Sequence, residues 1–239
     1  MLLDPECEWK GRPHYMDKSV AKTVDRKTRR RNRTRQQLID AVQAVILQHG
    51  YDGTSADSVT EMADLGRSTF YNHFESKQDA VLAMLTSHFR EYGEAAYVPL
   101  EETHDRALSV TYSTLRVFKA MASDPLTRQL IERPRMLAKA IAESQGEYVV
   151  KDFAEGIKQK RFKFAIEPQS LAVALNWSYV GMLISAIQQD TVETMALEWA
   201  RFLLTNLGLD QLEIEGLIRS AHNLGSELSH GTVRINHLA

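Results

Sequence analysis

Residues 66–77 read GRSTFYNHFESK. Arg67, His73 and Lys77 stand among the hydroxyls of Ser68, Thr69 and Tyr71, and Phe70 and Phe74 are four apart. Four residues make about one helical turn, so the two rings share a face and the polar groups take the other. Asp64-Leu65-Gly66 just before them predicts a tight turn. Upstream of it, Val59, Met62 and Ala63 pattern a short helix over 57–63, with Thr54, Ser55 or Asp57 as its cap. Two short helices across a tight turn form a helix–turn–helix. That motif lays its second helix in the DNA major groove, its N-terminal residues nearest the base edges.

The second helix, predicted over 67–73, opens with Arg67-Ser68-Thr69. An arginine can make two bonds to a guanine edge, and a serine or threonine hydroxyl can reach a base or a phosphate. Tyr71 and His73 then carry donors toward phosphate, and Phe70 and Phe74 turn back into a small core. Lys77 falls in the first turn of a further helix, where backbone amides also favour phosphate. Thr54 is expected to bond phosphate on the opposite side.

Outward from this stretch, Leu38, Val42, Val45 and His49 mark one face of a helix from Thr34, ended by Gly50. From Lys22 to Arg35 there are eight basic residues against one acid, a net of +7 on a chain whose formal charge is −2. Such a segment seeks phosphates. It reads as an arm over 22–33, with Arg29, Arg31 and Arg33 neutralising the DNA backbone or entering a minor groove. Residues 1–21 read as an N-terminal extension. Downstream, Ala80, Val81, Met84, Leu85, His88 and Phe89 keep a helical period over 77–92. Helices follow near 103–123, 125–132, 135–159, 168–189, 191–207 and 210–228, then a tail over 229–239. No strand-like alternation interrupts them. The expected fold is all-α: a three-helix helix–turn–helix DNA-binding domain over 34–80 and a helical ligand-binding and dimerisation domain over 81–228.

Composition narrows the function classes. With 239 residues and 44% hydrophobic content, the chain can bury a sizeable core. Its single cysteine, Cys7, makes no intrachain disulfide, and no Cys/His cluster has zinc spacing. A reducing cytoplasm and no metal are expected. The opening MLLDPECEWK lacks the basic start and apolar stretch of a secretion signal. The most apolar run, Leu171 to Ile187, is interrupted by Asn176, Ser178 and Tyr179 and falls short of the roughly 20 residues of a membrane span. It reads as a buried helix, with no membrane role. No metalloprotease, nucleophile-elbow or phosphate-loop motif is present. Glu101-x-x-His104 is one half of a carboxylate di-metal site with no second copy. No catalytic residue and no cofactor are therefore expected.

The run from Thr34 to His88 resembles the DNA-binding domain of TetR-type transcriptional regulators. The resemblance rests on Gly50-Tyr51-Asp52-Gly53-Thr54-Ser55, on Val59 to Ala63, and above all on Ser68-Thr69-Phe70-Tyr71-Asn72-His73-Phe74-Glu75-Ser76-Lys77. Asp64 stands where the family usually has a turn glycine, Gly66 where it often has a capping serine, and Ser68 where many members have glycine. Phe153-Ala154-Glu155-Gly156-Ile157, Arg161-Phe162 and Glu167-Pro168 resemble the junction before the family's last two long helices. The resemblance implies a cytoplasmic homodimer, most simply a repressor, on a palindromic double-stranded operator, released by a small-molecule effector. It implies a dimer interface built from the last long helices, with Leu171, Leu175, Tyr179, Met182, Ala186, Met195, Trp199, Phe202 and Leu203 as contributors. It also implies an effector pocket, for which His88, Tyr92, Tyr112, Phe118, Met121, Tyr148 and Trp177 are the candidate lining. Such a lining would suit an apolar or aromatic ligand. The alternative is an effector-independent architectural or division-linked DNA-binding protein on the same fold.

Overall fold

Between Arg26 and His49 the chain holds neither glycine nor proline, and its lysines, arginines and glutamines are good helix formers. The basic segment therefore does not stop where the apolar period begins. Helix α1 spans Arg26–Gly53 and takes in residues 26–33 of the expected arm. The computed structural model describes residues 26–97, 105–164 and 166–230. The extension over 1–21, the first residues of the arm, Glu101, His104 and all but the start of the tail lie outside them.

By compactness the chain divides between Gln36 and Gln37. In the first unit the described residues are the opening turns of α1, and residues 28–33 are all exposed. In the second unit the described residues form the rest of α1 and nine further helices. Gly50 interrupts α1 with φ 68° and ψ 177°, a left-handed conformation open to glycine at little cost. Then come α2 (Ala56–Met62), α3 (Arg67–Tyr71), α4 (Lys77–Tyr97), α5 (Arg106–Ser123), α6 (Pro125–Gln129), α7 (Pro134–Lys158), α8 (Pro168–Gln189), α9 (Val192–Asn206) and α10 (Gln211–His230). No strand occurs among the described residues.

The caps explain these boundaries. Asp124 ends α5 and caps α6, its carboxylate accepting from the Thr127 amide at 2.8 Å. Pro125, Pro134 and Pro168 open α6, α7 and α8, where a missing N–H costs nothing. Helix α5 is central: α4, α7, α8, α9 and α10 all pack on it. One apolar cluster runs from Leu38 to Ile218, and α4 passes without a break through the domain boundary expected at residue 80.

Helix α8 corrects one expectation. At 22 residues it is long and apolar enough to cross a membrane by length and composition. Its Leu171, Leu175, Val180, Leu183 and Ala186 are nonetheless buried in the helical core.

Candidate nucleic-acid interface and ligand cavity

Ser55 caps α2 through a reciprocal box. Its hydroxyl accepts from the Ser58 amide at 3.0 Å, and the Ser58 hydroxyl accepts from the Ser55 amide at 2.9 Å. The turn that follows puts Asp64 at φ 52°, which only glycine and short polar residues adopt readily. That explains why an aspartate can stand at a glycine's usual place. Gly66 caps α3 with its backbone alone. Phe70 and Phe74 are buried, with ring centroids 5.6 Å apart. Arg67, Ser68 and Tyr71 are exposed, and Thr69 and His73 are half-buried. The division into a ring face and a polar face is as the sequence predicts, although α3 ends at Tyr71.

Arg67 makes two solvent-exposed contacts within the motif. Its Nη1 donates to Asp57 Oδ2 at 3.1 Å, and its guanidinium lies 5.9 Å from the Tyr71 ring centroid. Tyr71 first, and then Asp57, raise its pKa above the ordinary arginine value. Asp57, which the sequence offers as a cap for α2, is thus also the ion-pair partner of Arg67.

Two expected phosphate ligands are placed differently. Thr54 is 3% exposed, and its hydroxyl donates to the Gly50 carbonyl at 2.8 Å, so it closes the end of α1. Lys77 turns its ammonium away from the amides of α4 and donates to the Tyr51 carbonyl at 3.1 Å. The Tyr51 ring has a second cation over it, the Arg133 guanidinium, 3.8 Å from the centroid. In the first unit, Arg29, Arg31 and Arg33 are exposed along a helix, not an extended arm.

Away from this region, α4, α5, α7, α8 and α9 line a half-open cavity of about 450 Å³, with the exposed Val150, Val173 and Trp177 on its wall. Its wall includes Val110, Met121, Tyr148, Phe153, Trp177 and Trp199, and it is mainly apolar. Of the seven expected lining residues, Met121, Tyr148 and Trp177 are on it. The other four are employed elsewhere. His88 Nε2 lies 3.0 Å from Asp124 Oδ1, and the Tyr92 hydroxyl lies 3.3 Å from the same nitrogen. Burial pushes the Tyr92 phenol pKa well up, with Asp124 adding to the shift. Tyr112 packs with Ala221 in a small separate cluster and accepts from Arg116 at 2.6 Å. Phe118 is fully buried, edge-on to Tyr179 at 5.4 Å.

The expected dimer contributors are sorted by exposure. Leu171, Leu175, Tyr179, Ala186, Trp199 and Leu203 are buried within the chain, and Met182 and Met195 are half-buried. Phe202 faces outward, joined on α8 by Val173 and Trp177.

A helix–turn–helix of this geometry, followed by a helical domain, defines a class of DNA-binding proteins. Residues 38–84 match the family profile of the bacterial regulatory proteins, tetR family, so the helix–turn–helix region is a TetR-type DNA-binding domain. The chain is similar to the HTH-type transcriptional repressor DhaR of Mycobacterium sp. (strain GP1), 40% identical over 48 residues, 20% of this chain and 24% of that one. It is also similar to the HTH-type transcriptional repressor KstR of Rhodococcus jostii (strain RHA1), 26% identical over 117 residues, 49% of this chain and 54% of that one. The matched stretches span about a quarter to about half of the curated relatives' length. Among solved structures, RolR in complex with resorcinol shares the fold, with a TM-score of 0.66 at 21% identity over 80% of this chain and 95% of that one.

Proposed function

We propose that the protein is a homodimeric, sequence-specific transcriptional repressor that leaves its operator when a small molecule fills the cavity lined by α4, α5, α7, α8 and α9. The observation that carries the DNA half is the exposure of Arg67, Ser68 and Tyr71 on α3 above the buried pair Phe70 and Phe74. Arg67, Ser68 and Thr69 read bases, Tyr71 and His73 contact phosphate, and Arg29, Arg31 and Arg33 neutralise the DNA backbone. Two such helices in a dimer meet half-sites about 34 Å apart on one face of the duplex. The outward apolar residues Val173, Trp177 and Phe202 supply the contact between protomers. A ligand that alters the spacing of the two α3 helices breaks the match and releases DNA. The half-open apolar cavity supports an effector-controlled regulator over an architectural DNA binder, which has no need of one. The setting is the cytoplasm, where the operator is.

The test is fluorescence anisotropy with DNA from the gene's own upstream region, at several salt concentrations and against scrambled competitor. Tight, competitor-resistant, steeply salt-dependent binding at a palindrome is expected. Affinity no better than for scrambled DNA contradicts the proposal.

A further inference from the structure

Gln145 has an unusual place on the cavity wall. It lies on α7, lines the cavity, and sends its Nε2–H across to the Phe89 carbonyl of α4. The amide sits in a notch that exists only because residue 93 of α4 is glycine. A Cβ built on Gly93 would lie 2.4 Å from Gln145 Oε1 and 3.0 Å from Nε2. Gly93 itself lines the same cavity. One polar group thus touches both the ligand space and the backbone of α4. At its other end α4 begins with Lys77, whose ammonium holds the Tyr51 carbonyl at the end of α1. Helix α4 therefore joins the cavity to the helix–turn–helix as a single element.

The wall also restricts the ligand. Its charges are all accounted for: Arg135 and Lys139 are solvent-exposed, and the buried Asp152 is held by Arg106 at 3.1 Å. In the cavity interior, away from those two exposed cations, an ion on the ligand would find no free partner and would keep its desolvation cost. Asn176 and Ser113 have donors committed to the carbonyls of Ala138 and Ser109. The volume is about three times the roughly 150 Å³ that accepts a single benzene ring. That leaves room for about three fused or linked rings.

We propose that the cavity takes an uncharged, mostly apolar ligand of about three rings, and that the Gln145 amide in the Gly93 notch is the positioning group that passes its arrival to α4. This rests on the effector reading above, which makes the cavity a ligand site. A ligand that binds better when the amide leaves its notch shifts α4 by that difference in affinity.

The experiment uses the full chain and two probes with one skeleton, uncharged N-phenyl-1-naphthylamine and anionic 1-anilinonaphthalene-8-sulfonate. The uncharged probe is expected to bind saturably, once per chain, at least tenfold more tightly. Hydrogen exchange across residues 89–97 of α4 is expected to change at least fivefold on binding in the wild type and less than twofold in Gln145→Met. That variant keeps the side-chain volume, and exchange is compared at saturating probe in both proteins, so that a change in affinity does not enter the comparison. Gly93→Ala, which drives the amide out of the notch, is expected to show the bound-state exchange rate with no probe present. Equal or tighter binding of the sulfonate, or no binding of either probe, overturns the ligand class. An α4 response undiminished in Gln145→Met overturns the coupling role. Operator affinity is read separately: a wild type whose α4 responds while its DNA affinity stays unchanged contradicts effector-controlled release and leaves the role of Gln145 standing.

Discussion

The ammonium of Lys77 lies 4.4 Å from the ring centroid of Tyr51 and donates to that residue's carbonyl at 3.1 Å. The first residue of α4 therefore closes the C-terminal end of α1. Arg133, the residue before α7, adds a second cation over the same ring and an ion pair to Asp52 at 2.5 Å. A DNA-binding motif and the helices behind it meet at one tyrosine.

Lys77→Met retains the aliphatic stem and removes the charge. It is expected to cost about 1–2 kcal/mol of unfolding free energy, from one lost hydrogen bond and one partly desolvated cation–π contact. Chemical denaturation measures this. Because the ammonium is turned inward, DNA affinity should fall for all sequences alike, with base preference intact. Altered preference without loss of stability would place Lys77 on the DNA.

Asp57 pairs with Arg67 and brings a negative charge to the side proposed to meet DNA. Asp57→Asn is expected to tighten binding to specific and scrambled DNA together. Arg67→Ala is expected to cost about 1–3 kcal/mol at the operator and to relax its sequence preference. Anisotropy titrations on matched and mismatched duplexes test both.

Replacing Arg29, Arg31 and Arg33 with alanine is expected to weaken all DNA binding and leave base preference unchanged. Each lost phosphate contact flattens the slope of log affinity against log salt by about 0.9. A slope unchanged after all three substitutions would take these arginines off the DNA.

Asp124 gives a prediction with a definite sign. Burial alone raises its pKa, but the His88 contact and the two bonds from Thr127 more than offset this and hold it below the ordinary 3.8. A depressed carboxylate stabilises the fold above its unfolded-state pKa and loses that contribution as pH falls through the folded value. The wild type should therefore lose stability steeply below about pH 4, and Asp124→Asn less steeply. At neutral pH the substitution is expected to cost about 1–3 kcal/mol, since the Thr127 and His88 donors lose a charged acceptor. Denaturation curves at several pH values check both.

Periodicity made most of the fold legible. It marked Phe70 and Phe74 as core and α3 as two-faced, and it placed the later helices within a few residues of their bounds. The start of α1 is not marked by apolar periodicity, because the run of arginines carries none, although no residue between Arg26 and His49 breaks a helix. Interior position was also legible, but not which interior. Phe118 and Met121 lie on the same helix, yet only Met121 reaches the cavity. Helix α8 is apolar nearly all round, so its period could not tell Leu175, buried, from Trp177, exposed. The clasp on Tyr51 joins residues 26 and 82 positions away, and no local pattern encodes such a meeting.

Selection from a random-sequence duplex library, run in parallel with the wild type and with Arg67→Ala, tests the central claim most directly. The account predicts that the wild type enriches a two-fold symmetric site with half-sites about one helical turn apart, and that Arg67→Ala loses the preference at one position in each half. No enriched sequence from the wild type, or the same site at the same affinity from Arg67→Ala, would contradict base reading by α3.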